Sequence, residues 1–181
     1  KIASNANNIL TELIESGSYD LTKRELVKTI SPAMDILISS NIERILFDKF
    51  GQTRTKELMD ELAKNRCYKL TADELAVIRG DFEAVYGDDG YSKEIIAKYA
   101  AKGYLMDPHT ALCVKAYNAG GKKTVMYSTA EWTKFSPSVL EALAPSEKGL
   151  RDKEAIEKVI SIYPYKLHVD IQKLLTANSK E

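Results

Sequence analysis

Three times along this chain a short apolar stretch runs straight into a polar cluster able to start a helix. Lys1-Ile2-Ala3 leads into Ser4 to Asn8, Tyr104-Leu105-Met106 into Asp107-Pro108-His109-Thr110, and Thr124-Val125-Met126-Tyr127 into Ser128-Thr129. Strand, polar cap and helix in repetition is the pattern of a parallel sheet with crossover helices. It predicts an α/β chain, rich in helix, with a few mainly parallel strands. Sheets of this kind place ligands outside the carboxyl ends of their strands, which makes the three polar clusters candidate ligand sites. Every crossover also needs a capping residue at that point, so position alone leaves both roles open.

The remaining elements read as helices. Ser31-Pro32 is a good helix start, with Met34, Leu37, Ile38, Ile42, Ile45 and Leu46 at helical spacing behind it and Gly51 to close it. A shorter helix is expected around Leu58, Met59 and Leu62. Thr71 and Glu74 form a capping box ahead of Leu75, Ile78, Phe82 and Val85, and Ser92 is expected to cap a helix through Ile95, Ile96 and Tyr99. Asp107-Pro108 starts a helix that Asn118-Ala119-Gly120-Gly121 ends, Pro137 opens another, and two more run from Ala155 to Tyr163 and Val169 to Leu175. The strand at Lys1-Ile2-Ala3 is too short to stand alone, and its partners are expected upstream of the sequence in preference to later strands.

Composition removes several function classes. Lys plus Arg and Asp plus Glu number 26 each, so no positive excess exists to neutralise a nucleic-acid backbone. No apolar run exceeds four residues, as at Ala111 to Val114, so no stretch reads as a membrane span. Cys67 and Cys113 are the two cysteines, without C-x-x-C spacing, which excludes a disulfide framework or zinc finger and suits a cytoplasmic protein. His109 and His168 lack a metal-spaced partner, and His109 beside Asp107 reads as a brace for the helix start.

Several strings, taken in order, resemble threonine synthase, a pyridoxal-phosphate enzyme. They are Ala3 to Asn8, the sixteen residues Ser31 to Leu46, Gly103 to Ala111 with its Asp-Pro-His-Thr-Ala, and Ser128-Thr129-Ala130 followed by Lys134-Phe135. Ala72 to Ala76 and Asp81-Phe82 also fit. The resemblance covers roughly residues 1 to 145 and fades in the tail. It implies a fold-type II pyridoxal-phosphate enzyme, with residues 1–145 as the carboxyl-terminal part of the cofactor-binding domain and 146–181 as a helical tail packed on it. The implied reaction converts O-phosphohomoserine and water to threonine and phosphate.

The family's Schiff-base lysine and glycine-rich phosphate loop are not found in these 181 residues. The resemblance therefore implies a carboxyl-terminal segment, inactive alone, with the Schiff-base lysine upstream. It also implies that a hydroxyl of the Ser-Thr-Ala string meets the cofactor's pyridine nitrogen: Thr129, with Ser128 as the neighbour that could take the role. A hydroxyl can donate to an unprotonated ring nitrogen, whereas a carboxylate would hold it protonated. Asn5 and Asn8 are candidate substrate contacts; Ser31 is either a contact or, preferably, the helix cap. One departure stands out, Glu131-Trp132-Thr133 where the family usually has His-Pro-Ala, and it places a carboxylate near the expected ring-nitrogen end. Two alternatives are a related phospholyase acting on another amino-acid phosphoester and a non-catalytic helical interaction module.

Overall fold

The computed structural model describes residues 1–118, 123–147 and 149–177. Its first strand, β1 (Ile2–Ser4), leads into α1 (Ile9–Ser16) and β2 (Ser18–Asp20). After a single 3-10 turn at Pro32–Met34 come α2 (Ile42–Asn65), β3 (Cys67–Lys69), α3 (Ala72–Asp81) and β4 (Ala84–Tyr86). The second half holds α4 (Asp89–Ala100), α5 (Pro108–Asn118), a 3-10 turn at Trp132–Phe135, α6 (Ser136–Leu143), α7 (Asp152–Ile162) and α8 (Val169–Thr176).

β1 finds its partner within the chain, contrary to expectation. It pairs in parallel with β4, Ile2 opposite Ala84 and Ser4 opposite Tyr86, and Gly87 N–H extends the pairing by donating to Ser4 O at 3.0 Å. The sequence spacing predicts helix through β4, because Val85 continues the spacing of Ile78 and Phe82. The helix in fact stops at Asp81, just after Gly80, and Phe82 is extended at φ −123°, ψ 133°. A second pair was not anticipated. β2 and β3 run antiparallel, with Tyr19 opposite Tyr68 and their buried rings stacked 5.1 Å apart. Tyr104–Met106 and Thr124–Tyr127, expected as strands, join no ladder among the described residues.

The helix expected from Ser31 to Leu46 is only a 3-10 turn followed by irregular chain, and α2 begins at Ile42. Side chains capture the backbone instead. Tyr19 Oη donates to Leu37 O at 2.8 Å and accepts from Ser39 N–H at 2.9 Å, while the Asp35 carboxylate accepts from Thr29 N–H at 2.9 Å. Gly51 does not end α2 but breaks it, at φ 74°, ψ 177°, and the helix resumes through Leu58 and Leu62. That conformation is accessible essentially to glycine alone. A Cβ there would meet no atom within 4 Å, so the whole cost of adding one is backbone strain. Gly51→Ala is expected to destabilise by about 1–3 kcal/mol in urea unfolding, and an unchanged midpoint would show that this kink is not held.

Local signals fare better. Thr71 and Glu74 make both halves of the capping box. α4 is capped by Asp88, which accepts from Tyr91 N–H, and not by Ser92, whose buried hydroxyl donates to Pro108 O at 3.0 Å. α6 starts around Pro137 as expected. α5 is described as far as Asn118, and the expected helix end at Ala119 to Gly121 lies outside the described residues.

Apolar burial divides between two clusters. Leu13, Tyr19, Leu46, Leu58 and Ile78 centre the first, under α1, α2, α3 and the β2–β3 pair. Ile96, Val114, Trp132, Val139 and Val159 centre the second, among α4, α5, α6 and α7. Among the described residues no helix is long and apolar enough to cross a membrane.

Candidate active site

The carboxyl end of β1 opens onto a polar knot. Asn5 is 2% exposed, and its Nδ2 donates to Thr29 Oγ1 and Asp35 Oδ1, both at 2.8 Å, with Ser31 Oγ at 3.1 Å. Its Oδ1 accepts from Asn7 N–H at 2.9 Å. Asn7 Nδ2 donates to Val27 O at 2.8 Å and to Asp35 at 3.0 Å, and its Oδ1 accepts from Val27 N–H at 2.9 Å. The structure thus joins Asn5 to Ser31 but separates Asn8, whose Oδ1 accepts from Arg24 Nη1 at 2.9 Å. Ser31 is not a helix cap: its φ, ψ of −110°, 65° is unlike a cap and its side chain makes no capping bond. Asn7, Thr29 and Asp35 are the members that sequence reasoning missed. Asn7 N–H bonds back to Asn5 Oδ1 across a bend at Ala6, a local Asx turn that brings the two side chains together and that Asn at this spacing could have signalled.

A second polar group lies where α5 begins. Asp107 is 1% exposed and caps the helix. Its Oδ1 accepts from His109 N–H at 2.9 Å and contacts His109 Nδ1 at 2.7 Å, and its Oδ2 accepts the Thr110 hydroxyl proton. His109 therefore braces the helix start, as its place beside Asp107 suggested. The other ring nitrogen, Nε2, accepts from Ala33 N–H at 3.2 Å, which fixes a neutral ring with its proton on Nδ1. That bond links the two polar groups, since Ala33 lies two residues from Ser31. Burial alone would raise the Asp107 pKa, but the hydrogen bonds from His109 and Thr110 outweigh it and hold the carboxyl below its usual value.

Thr110 Oγ1 lies 3.1 Å from Ser128 Oγ, which is 3.3 Å from Ala130 O. Thr129, next in the chain, is exposed, and its hydroxyl has no partner among the described residues. Neither Ser128 nor Thr129 caps the following turn. Glu131 does, its carboxylate accepting from Thr133 N–H at 2.8 Å and from Thr133 Oγ1 at 2.6 Å. The expected carboxylate near the ring-nitrogen end is thus turned onto its own backbone.

This donor set can be tested against pyridoxal phosphate. A free neutral hydroxyl at Thr129, with Asp107 buried and Glu131 committed, fits the ring-nitrogen end. The described glycines form no cradle for a phosphate. No group of three potential metal ligands occurs among the described residues.

Likeness to solved threonine synthases places this helix-rich α/β chain in the class of fold-type II pyridoxal-phosphate enzymes. A solved structure of pyridoxal-phosphate-bound threonine synthase from Brucella melitensis matches with TM-score 0.72 and 31% identity, covering 96% of this chain and 38% of that one. Yeast threonine synthase matches with TM-score 0.77 and 27% identity, covering 98% and 38%. A human relative, threonine synthase-like 1, is 36% identical over 152 residues, which is 80% of this chain and 20% of the relative. No family model matches the chain. Over the matched residues, the chain belongs to the threonine synthase family. It spans about a fifth of the human relative's length.

Proposed function

We propose that this chain forms part of a threonine synthase, the enzyme that converts O-phospho-L-homoserine and water to L-threonine and phosphate. The observation that carries the reading is the match of nearly the whole chain to solved threonine synthases. Pyridoxal phosphate, when bound, supplies an electron sink for carbon atoms of the substrate. Thr129 would donate its proton toward the ring nitrogen. Because a hydroxyl shares that proton and does not release it, the ring stays neutral at that end and its electron demand is moderated. Asn5, Ser31 and Asp35 would form the floor of the site, rigid because their polar groups bond one another. Asn8, held by Arg24, would brace the start of α1 and the loop beyond β2. The Schiff-base lysine and the phosphate loop would come from sequence outside this chain, and the 181 residues alone would not turn over.

The test uses the full-length protein with pyridoxal phosphate and O-phosphohomoserine, following phosphate and threonine together. Equal amounts of both are expected. Phosphate without threonine would replace this reading with a phospholyase, and neither product would leave the family and fold standing alone. Thr129→Ala is expected to lower kcat by about 10- to 100-fold, the worth of one hydrogen bond to a polarised group, with Thr129→Ser retaining most activity. Equal rates for Thr129→Ala and the unmodified enzyme would remove Thr129 from the site.

A further inference from the structure

The turn at Pro32–Met34 starts without the cap its sequence offers, since the Ser31 side chain makes no capping bond. Pro32 has no N–H, and Met34 N–H donates to Ser31 O at 2.9 Å. Ala33 N–H is therefore the donor of the turn that must find a partner elsewhere. Its acceptor is His109 Nε2, 3.2 Å away and 76 residues further along the chain. The imidazole has little freedom to rotate. Its Nδ1 lies 2.7 Å from Asp107 Oδ1, and the Phe135 ring packs against it with centroids 4.5 Å apart. The proton count closes, because the carboxylate accepts the Nδ1 proton and Nε2 keeps a lone pair for Ala33 N–H. On the other side of Ser31, Ile30 N–H donates to Asp89 Oδ1 at 3.2 Å.

We propose that His109 is a positioning residue for the substrate side of the site: it caps the Pro32–Met34 turn from another element and holds that turn in place over Asn5, Ser31 and Asp35. The inference rests on the reading of those three residues as the floor of the site. Ser31 is 1% exposed, whereas Pro32 and Ala33 are exposed, so the turn is surface where the floor is not. The turn is three residues long and belongs to no ladder, which leaves its place to be set by hydrogen bonds from its neighbours. A substrate resting on it would lose binding if the turn drifted. Such a contact is shared by ground state and transition state, so its loss appears in KM before kcat.

The experiment compares His109→Asn and His109→Gln in the full-length protein, reading KM and kcat for O-phosphohomoserine and hydrogen exchange at the Ala33 amide. The Asn amide nitrogen stands in for Nδ1 and keeps the bond to Asp107, but offers Ala33 no acceptor. The Gln carbonyl stands in for Nε2 and keeps the bond from Ala33. His109→Asn is expected to speed exchange at Ala33 about 10-fold and to raise KM about 10-fold, with kcat within about 2-fold. His109→Gln should hold both readings within about 3-fold of the unmodified protein. Should His109→Asn not fold, Phe135→Leu, which frees the imidazole to rotate, is expected to move exchange and KM in the same directions. The reverse order, with His109→Gln the damaging change, would make His109 a brace for Asp107 alone and overturn the proposal. Faster exchange at Ala33 with an unchanged KM would overturn it too. An unmodified protein that released no phosphate from O-phosphohomoserine would instead overturn the functional reading, and the exchange series would still show whether His109 holds the turn.

Discussion

Asp107→Ala is expected to lower stability by about 3–5 kcal/mol, the range for removing one member of a buried, hydrogen-bonded charged group. The loss has identifiable parts. The α5 start gives up its cap, which typically contributes about 1 kcal/mol. The His109 Nδ1–H and the Thr110 hydroxyl are left without their acceptor in a region where Asp107 is 1% exposed and Thr110 4%. His109 also loses what fixes its tautomer, so its bond from Ala33 N–H weakens. Asp107→Asn keeps the shape and one acceptor oxygen, and a cost of about 1–2 kcal/mol is expected. Urea unfolding of the three proteins measures the series, and equal midpoints for Asp107→Ala and the unmodified protein would sink it.

The same carboxylate gives the acid response a sign. Its pKa in the folded protein lies below that of an ordinary aspartate, so the folded state favours the charged form more than the unfolded state does. The stabilisation is complete above the unfolded value and lost as pH falls through the folded one. The stability advantage over Asp107→Asn should therefore be flat from neutral pH down to about 5 and shrink below about 4. An advantage that grew on acidification would contradict the direction.

The elements legible in the sequence are those whose cause is local. Thr71 and Glu74 satisfy each other's orphan backbone groups three residues apart, and nothing distant can alter that. Asp107-Pro108 and Pro137 are the same kind of signal. Ser31-Pro32 carries it too, and fails, because Asp35 four residues on is claimed by Asn5 and Asn7 beyond the end of β1 and by Thr29 just upstream. There the tertiary hydrogen bonds outcompete a helix whose side-chain spacing was right. β4 was hidden for the opposite reason: Ala84 to Tyr86 becomes a strand only because β1 lies alongside it, and its spacing also suits a helix. At the site, the Ser-Thr-Ala string was found by resemblance, while the hydrogen bond that Ser128 accepts from Thr110, eighteen residues away, had no signal in the sequence.

Trp132→Ala should be comparably damaging, at about 3–5 kcal/mol, because a large buried aromatic is removed and its space is only partly recovered. This residue stands where the resemblance led one to expect a proline, and the structure gives the exchange a packing reason. Trp132 is 1% exposed within the cluster formed by Val139, Leu140 and Val159, and its ring meets Tyr165 edge-on, with centroids 6.0 Å apart at 88°. Tyr165 lies between α7 and α8, so the indole ties the 132–135 turn to the chain's last helices. As the single tryptophan, it also reports on itself. Emission from the unmodified protein should be blue-shifted and should move red in the same urea transition that melts the helices. Trp132→Phe keeps an aromatic face for Tyr165 and removes an indole N–H that has no partner among the described residues, so a cost near 1 kcal/mol is expected. If Trp132→Phe were as damaging as Trp132→Ala, the ring contact with Tyr165 would not be what fastens this turn. If Trp132→Ala left stability unchanged but altered the ratio of threonine to phosphate, the departure from proline would be chemical and not a matter of packing.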